Sequence, residues 1–316
     1  MKALRFQDGK PRVADIPIPT PPEKEVLIRV KLAGVCATDL EIVRGYAGFE
    51  GTLGHEFVGV VEQGPAELKG KRVVGEINCV CGKCDMCTSG LSNHCRRRSV
   101  LGIVQRDGAF AEYVSLPARN CLMVPDSISD EQAVFVEPLA AALQVTQQVQ
   151  IEPRMQVAVL GTGRLGLLVA QVLAKRKCSL TAIGRNANTM RFLDRKGVRT
   201  SALDAVKSRE TFDVVVDCTG SPEGLPIALQ LVRPRGVIVM KTTCQADHGV
   251  DLTALVVNEV TLLGSRCGPF GEALSWLARK DVDVTEMVTS RMKLSDGVAA
   301  LERAAQTDQI KVLLEV

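Results

Sequence analysis

Aromatic residues are scarce in this chain: one Trp, two Tyr and eight Phe among 316 residues. Proteins that hold single-stranded nucleic acid stack bases on aromatic rings, and so small a supply offers no such platform. Charge of one sign is not in excess either. The formal net charge is +3, too little to argue for a polyanionic partner. The only basic run, Arg96-Arg97-Arg98, reads as a solvated surface patch. No apolar run approaches the roughly 18 residues of a membrane span. The opening MKALRFQDGKPRV turns polar at once, without the apolar core of a signal peptide. Low-complexity tracts and internal repeats are lacking. Histidine is limited to three residues, His55, His94 and His248, of which the last two lack metal-type neighbours and read as surface residues.

Cysteine, by contrast, is plentiful. The eleven thiols are an odd number in a long chain with no leader, which argues for reduced cysteines in a cytosolic compartment rather than a disulfide framework. Hydrophobic residues make up 46 % and charged residues 24 %, enough for two cored domains or one large one. Cys81, Cys84, Cys87 and Cys95 form a ladder with spacing C-x2-C-x2-C-x7-C. Four soft ligands at short intervals suit a tetrahedral Zn²⁺ whose closed shell leaves no place for substrate. Such an ion staples a lobe and does no chemistry.

The texture changes along the chain. Residues 1–130 carry short β-branched runs at Val26–Val30, Phe57–Glu62, Arg72–Val74 and Phe110–Val114 between Gly and Pro punctuation. A long helix is expected from Asp130-Glu131 to Val149. Strands and helices then alternate: strands over 157–161, 179–184, 213–220, 236–241 and 260–265, helices over 165–174 and 189–197. Val/Ile/Leu strands separated by helices predict an α/β parallel sheet covered on both faces. The tail adds a helix or two and a last strand, KVLLEV.

Gly161-Thr162-Gly163-Arg164-Leu165-Gly166 is G-x-G-x-x-G, placed after an apolar strand and at the start of an apolar helix. That context makes it a dinucleotide fingerprint. Gly161 makes the tight turn, Gly163 admits the pyrophosphate to the helix N-terminus, and Gly166 brings helix and strand close. The next strand ends Ile183-Gly184-Arg185-Asn186, without the acid that grips the ribose 2′-hydroxyl of NAD. A small residue followed by a guanidinium suits a 2′-phosphate, so NADP is expected over NAD.

A second metal-type set surrounds the ladder: Cys36-Ala37-Thr38-Asp39, Gly54-His55-Glu56 and Glu137-Pro138. A catalytic zinc takes about three protein ligands and keeps one position open. Cys36 and His55 are the natural first two, with either Glu56 or Glu137 as the third. Asp39 is placed to orient the second nitrogen of His55.

Taken together, GVCATDLE, GHEFVGVVEQG, the ladder, GAFAEY, FVEPLA, VLGTGRLGLL, DCTGSPEG and GSRCGPF resemble, in order and over nearly the whole length, the zinc-containing medium-chain dehydrogenase/reductases of the alcohol dehydrogenase superfamily. Glu137-Pro138, where classical alcohol dehydrogenases have a third zinc-ligating Cys, points to the polyol, sugar and threonine dehydrogenase branch. The resemblance implies a GroES-like β-rich catalytic domain from residues 1–145 and 267–316, around a Rossmann domain of residues 146–266, with the active site in the cleft between them. It implies two zinc ions per chain. Cys36, His55 and Glu56 would hold the catalytic one, with Glu137 ligating or facing it, and Cys81, Cys84, Cys87 and Cys95 the structural one. Thr38 would carry the proton. Gly161, Gly163, Arg164, Leu165, Gly166, Gly184, Arg185, Thr219 and Arg266 would serve the cofactor. The reaction would be hydride transfer between NAD(P) and a small alcohol or carbonyl, a polyhydroxylated one by analogy. Relatives are dimers or tetramers, and the strand around Leu262-Leu263 resembles the one that pairs between subunits. Two loops are tighter than in the family, Cys36 to His55 and Cys95 to Gly108. Cys79 is extra and reads as a non-ligand.

Overall fold

The computed structural model describes residues 1–206, 211–243 and 252–316. His248 therefore lies outside the described residues. The chain divides into two compact units, one of Met1–Glu137 with Phe270–Val316, the other of Pro138–Pro269.

The first unit opens with a hairpin that the β-branched runs did not signal, Lys2–Gln7 against Lys10–Asp15, joined by the two-residue Asp8-Gly9 turn. Its main sheet has the order Cys121–Met123, Arg72–Gly75, Glu56–Gln63, Glu25–Gly34, Lys311–Glu315, Val288–Lys293, with Tyr113–Pro117 also pairing Glu25–Gly34. Val26, Ile28, Ala33, Val58, Val114, Leu116, Leu313 and Leu314 are fully or almost fully buried in it. The C-terminal strand lies antiparallel to Glu25–Gly34, so the two ends of the chain share one sheet. The strand expected over 110–114 begins at Tyr113 instead. Phe110 and Ala111 are spent on the N-terminal hairpin, where Leu4 donates to the Phe110 carbonyl and Ala111 bridges Ala3.

The helix expected from 130 to 149 is two helices, Asp130–Val134 and Val136–Gln148, parted at Phe135. Ser129 and Gln132 form a reciprocal capping box that fixes the start of the first. The division between units falls at 137/138, near the start of the second helix, whereas the expected division at 145/146 lies nearer its end. Val134, Phe135 and Val136 are buried. Further along, the Ala140 carbonyl faces Gly268 and the Ala141 carbonyl accepts from Lys241, so the body of the helix packs with the second unit.

In the second unit six parallel strands run in the order Arg199–Ser201, Ser179–Ile183, Gln156–Leu160, Phe212–Asp217, Val232–Met240, Thr261–Gly264. In chain order this is 3-2-1-4-5-6, the doubly wound Rossmann arrangement, whose crevice opens at the carboxyl ends where the order reverses. Ala158, Leu160, Ile183, Val215 and Ile238 on the strands pack with Leu225, Ala228 and Leu231 of the helix Gly224–Leu231. Among the described residues no helix is long and apolar enough to cross a membrane.

Candidate active site

Cys36 lies two residues beyond the strand Glu25–Gly34 and stands at the N-cap of the short helix Ala37–Val43, where its backbone N–H donates to Asp39 Oδ2 at 2.8 Å. Asp39 is fully buried, and its other oxygen, Oδ1, lies 3.3 Å from His55 Nδ1. That contact is long and poorly aligned for a hydrogen bond, so its attraction is chiefly that of charge. His55 follows Gly54, whose φ of +95° excludes ordinary L-residues and whose α-carbon lies against the Phe110 ring, 2.3 Å from where a Cβ would sit. Glu56 is the first residue of the next strand. One donor atom each from Cys36, His55 and Glu56 falls within 4.8 Å of the others. The cluster is closed on one side and open on the other. His55 and Glu56 are 3 % and 1 % exposed, while Cys36 and Thr38 are partly exposed, with Thr38 Oγ1 3.7 Å from Cys36 Sγ.

The pairing of Glu56 was not legible in the sequence. Its Oε2 accepts from Lys311 Nζ, 255 residues away and only 2 % exposed. Lys311 Nζ also lies 3.4 Å from the Val35 carbonyl and 5.5 Å from the centre of the Phe135 ring. Gly34 makes room for the pair, since a Cβ there would fall 2.7 Å from Glu56 Oε2. Glu56 Oε1, by contrast, is buried with no hydrogen-bond partner. A carboxylate oxygen so placed beside a thiol and an imidazole fits a divalent cation, which supplies the missing partner.

Glu137 stands outside the three-residue cluster yet senses it. Burial, then the like charges of Glu56 and Glu76, push its carboxyl up to about 7 against the attraction of His55 and Lys311. Burial works to lower the pKa of His55, but Asp39 and Cys36 outweigh it and hold the imidazole well above its usual range.

The ladder cysteines meet as well. Sγ–Sγ distances are 3.5 Å for Cys84–Cys87, 3.7 Å for Cys84–Cys95 and 3.5 Å for Cys95–Cys81. They are far beyond the roughly 2.05 Å of a disulfide and close to the edge, about 3.8 Å, of a tetrahedron with Zn–S bonds of about 2.3 Å. The backbone N–H of Lys83 draws Cys81 down to about 6, while desolvation and the neighbouring thiols push Cys87 up to about 11. A divalent cation at the centre removes that conflict. The basic triplet is not the purely solvated patch expected. Arg96 pairs with Asp85, Arg97 reaches Cys81 Sγ at 3.6 Å and Arg98 donates to the Cys95 carbonyl. Cys79 is buried, outside the four-sulfur group, and takes a contact from Asn120 Nδ2. His94 is exposed.

In the second unit Gly161 has a φ of +98°, and a Cβ on it would meet the Cys218 carbonyl at 2.7 Å. A Cβ on Gly166 would fall 1.9 Å from the Gly161 carbonyl. Both glycines are thus required by packing. Gly163 is different: nothing lies within 4 Å of its Cβ position, which leaves the N-terminus of the helix Arg164–Ala174 open to a phosphate. Gly184 packs on Thr162, Arg185 is exposed, and Asn186 caps the helix Ala187–Arg195 by accepting from the N–H groups of Asn188 and Thr189. Thr219 donates both its N–H and its hydroxyl to Asp217 Oδ1, at 2.9 and 2.7 Å. Asp217, fully buried, ends the strand next to the fingerprint strand. An acid directly after the apolar run Val214–Val216 was its visible signal. Arg266 is exposed after the last strand.

With this geometry the comparisons with known proteins agree. Residues 22–126 match the alcohol dehydrogenase GroES-like domain and residues 125–316 the glucose dehydrogenase C-terminus. Sorbitol dehydrogenase of Halalkalibacterium halodurans is 32 % identical, with 99 % of each chain covered. A zinc-binding dehydrogenase from Sinorhizobium meliloti 1021, solved with NADP, superposes with a TM-score of 0.90 at 27 % identity, over 100 % of this chain and 99 % of that one. An alcohol dehydrogenase from Escherichia coli CFT073, complexed with NADH, gives 0.90 at 26 %, over 100 % and 99 %. The chain belongs to the zinc-containing medium-chain dehydrogenase/reductases, the alcohol dehydrogenase superfamily, on its polyol, sugar and threonine dehydrogenase branch. Its reaction is the zinc-dependent interconversion of an alcohol and a carbonyl by hydride transfer with NAD(P).

The raised carboxyl of Glu137 sets a sign for stability. A Glu that titrates at about 7 in the fold, against an ordinary 4.5, binds more protons folded than unfolded between those values. Metal-free protein therefore loses stability as pH rises through that window. Glu137→Gln should flatten the slope, read from thermal midpoints of the chelator-treated proteins between pH 5 and 8. Parallel slopes in the two proteins would show that Glu137 ionises without penalty.

Proposed function

We propose that Cys36, His55 and Glu56 hold the catalytic ion, that Glu137 faces it, and that Cys81, Cys84, Cys87 and Cys95 hold a second, structural ion. The observation that carries this reading is the three-donor cluster, closed at His55 and Glu56 and open at Cys36 and Thr38. An ion in such a site acts as a Lewis acid that lowers the pKa of a hydroxyl. The chain's own groups do the rest. Cys36 and Glu56 bring negative charge. Asp39 orients His55 so that Nε2 is the nitrogen left for ligation. The Thr38 hydroxyl, at the open side, takes the substrate proton at Oγ1 and hands it outward. Polyhydroxylated alcohols are the proposed substrate class, supported by Glu137-Pro138 and by the likeness to a sorbitol dehydrogenase.

Cys36→Ala should lower the zinc content from two ions per chain to one and abolish turnover on a panel of polyols and ketones. NADPH binding, read by fluorescence, should stay within about twofold. Near-normal turnover in this variant would remove Cys36 from the site.

The preferred cofactor is NADP. Arg185 stands immediately before the N-cap of a helix, so a guanidinium and an electropositive helix end meet where the ribose 2′-phosphate would lie. Arg185→Ala should cut kcat/KM for NADP⁺ roughly 10- to 100-fold and leave that for NAD⁺ nearly unchanged. A wild-type preference for NAD⁺ that survives the substitution would reverse the assignment.

A homodimer, or a tetramer built from it, is supported by the edge strand Thr261–Gly264. It is exposed along most of its length, with Leu262 at 42 %, and follows a helix that exposes Leu252, Val256 and Val257. An apolar edge of this kind is a template for pairing. Sedimentation equilibrium at micromolar concentration should give a dimer or tetramer, and Leu262→Lys should shift it toward monomer. A monomeric wild-type protein contradicts the proposal.

A further inference from the structure

Lys241 is a buried cation that no step above uses. It directly follows the strand Val232–Met240, the fifth in the doubly wound sheet, and its side chain is almost wholly covered. Its backbone N–H continues the ladder by donating to the Asp217 carbonyl at 2.9 Å. Its Nζ donates to the Arg266 carbonyl at 2.8 Å, the Ala141 carbonyl at 2.8 Å and Ser265 Oγ at 3.2 Å. The ammonium thus gathers oxygens from two segments far apart in sequence, the helix Val136–Gln148 and the residues just after the last parallel strand.

Filling space does not call for a charge, because a methionine of similar length avoids the cost of desolvating an ammonium. What the ammonium adds is direction, fixing carbonyls that an apolar side chain would leave free to turn. Gly268 adds to the constraint. A Cβ there would fall 1.9 Å from the Ala140 carbonyl, so this segment lies directly on the helix.

The sheet order says what this corner is for. A dinucleotide on a 3-2-1-4-5-6 sheet crosses the carboxyl ends, one mononucleotide half on each side of the switch point. The pyrophosphate belongs at Gly161–Gly166 and the adenosine half beside Gly184 and Arg185. The nicotinamide half therefore falls over the ends of the fourth, fifth and sixth strands, at Thr219, Lys241 and Ser265-Arg266. We propose that Lys241 is a positioning residue for the nicotinamide end of the cofactor. It anchors the Ser265-Arg266 strap to the helix Val136–Gln148, so that the strap presents a fixed wall to the nicotinamide ribose and carboxamide. This rests on the assignment of the dinucleotide to this sheet.

The test separates the two halves of the cofactor. Binding to the full-length, zinc-loaded protein is measured for NADPH and for 2′,5′-ADP, which has the adenosine end and no nicotinamide. Lys241→Met should weaken NADPH about tenfold or more and leave 2′,5′-ADP within about twofold. Ser265→Ala, which removes one acceptor and disturbs the core least, should weaken NADPH by about threefold with the same selectivity, and it decides the matter should Lys241→Met fail to fold. Equal losses for both ligands would make Lys241 a general fold element and overturn the proposal, as would unchanged NADPH binding. NADH and AMP take the same two roles where the wild-type protein prefers NAD, so a wrong cofactor choice leaves the proposal testable. Wild-type protein that binds neither dinucleotide overturns the sheet assignment, and this proposal with it.

Discussion

Glu56 and Lys311 neutralise each other in an interior where neither reaches water, and the site is organised around that fact. Truncating either partner of such a buried pair costs about 3–5 kcal/mol, because the other is left as an uncompensated charge away from water. The pair also has a topological consequence. Glu56 is carried by the N-terminal part of the chain and Lys311 by its last strand; Gly34 pairs with Glu56 on one side and with Leu313 of the last strand on the other, and the Lys311 side chain lies beside it. The donors Cys36, His55 and Glu56 come from one stretch of the chain, while the cation that pairs with Glu56 comes from the last strand. Gly34 is the hinge of this arrangement in a spatial sense, since any side chain there would occupy the volume where the two charges meet.

Around that pair the chemistry is graded from closed to open. Asp39, His55 and Glu56 form a buried floor, and Cys36 and Thr38 a partly exposed lip. Burial strengthens the interaction of the floor residues with a cation, and on the proposed reading the lip is where substrate enters and the proton leaves. Glu137 stands next to this cluster, and burial with the like charges of Glu56 and Glu76 pushes its carboxyl up to about 7. The four-cysteine lobe behaves differently. Its sulfurs face one another, backbone N–H groups and the Arg97 guanidinium, which suits an ion that holds a loop in place.

The second unit shows the same division between local code and distant contact. Its fingerprint glycines are local: Gly161 turns the chain and Gly166 lets the helix return onto that turn. Asp217 and Lys241 complete the carboxyl edge from neighbouring strands, the first by fixing Thr219, the second by fixing the segment that leaves the sheet. Both are charged residues at the ends of apolar runs. The sequence displayed them without saying what they would meet.

Much of the architecture was legible in the chain. The period-two runs of the first unit, the βα alternation of the second, the ladder spacing and the G-x-G-x-x-G context are all written within windows of a few tens of residues, where helix and strand geometry translate directly into spacing. The strand placed at 110–114 began later because Phe110 and Ala111 pair with the N-terminal hairpin. The single helix over 130–149 is two, and its body packs with the second unit. The Arg96–Arg98 run holds the cysteine lobe. Lys311, Lys241 and Glu76 passed unnoticed. For the strand, for Lys311 and for Lys241 the partner lies about a hundred residues away or more, whereas the Arg96–Arg98 run meets Asp85, Cys81 and Cys95 of its own lobe. By itself the sequence determined the types of ligand, their local order and the period of each element, because those follow from covalent spacing. Only the tertiary structure decided which carboxylate joins Cys36 and His55, and which cation neutralises it, because a buried charge is settled by whatever opposite charge the folded chain brings within reach.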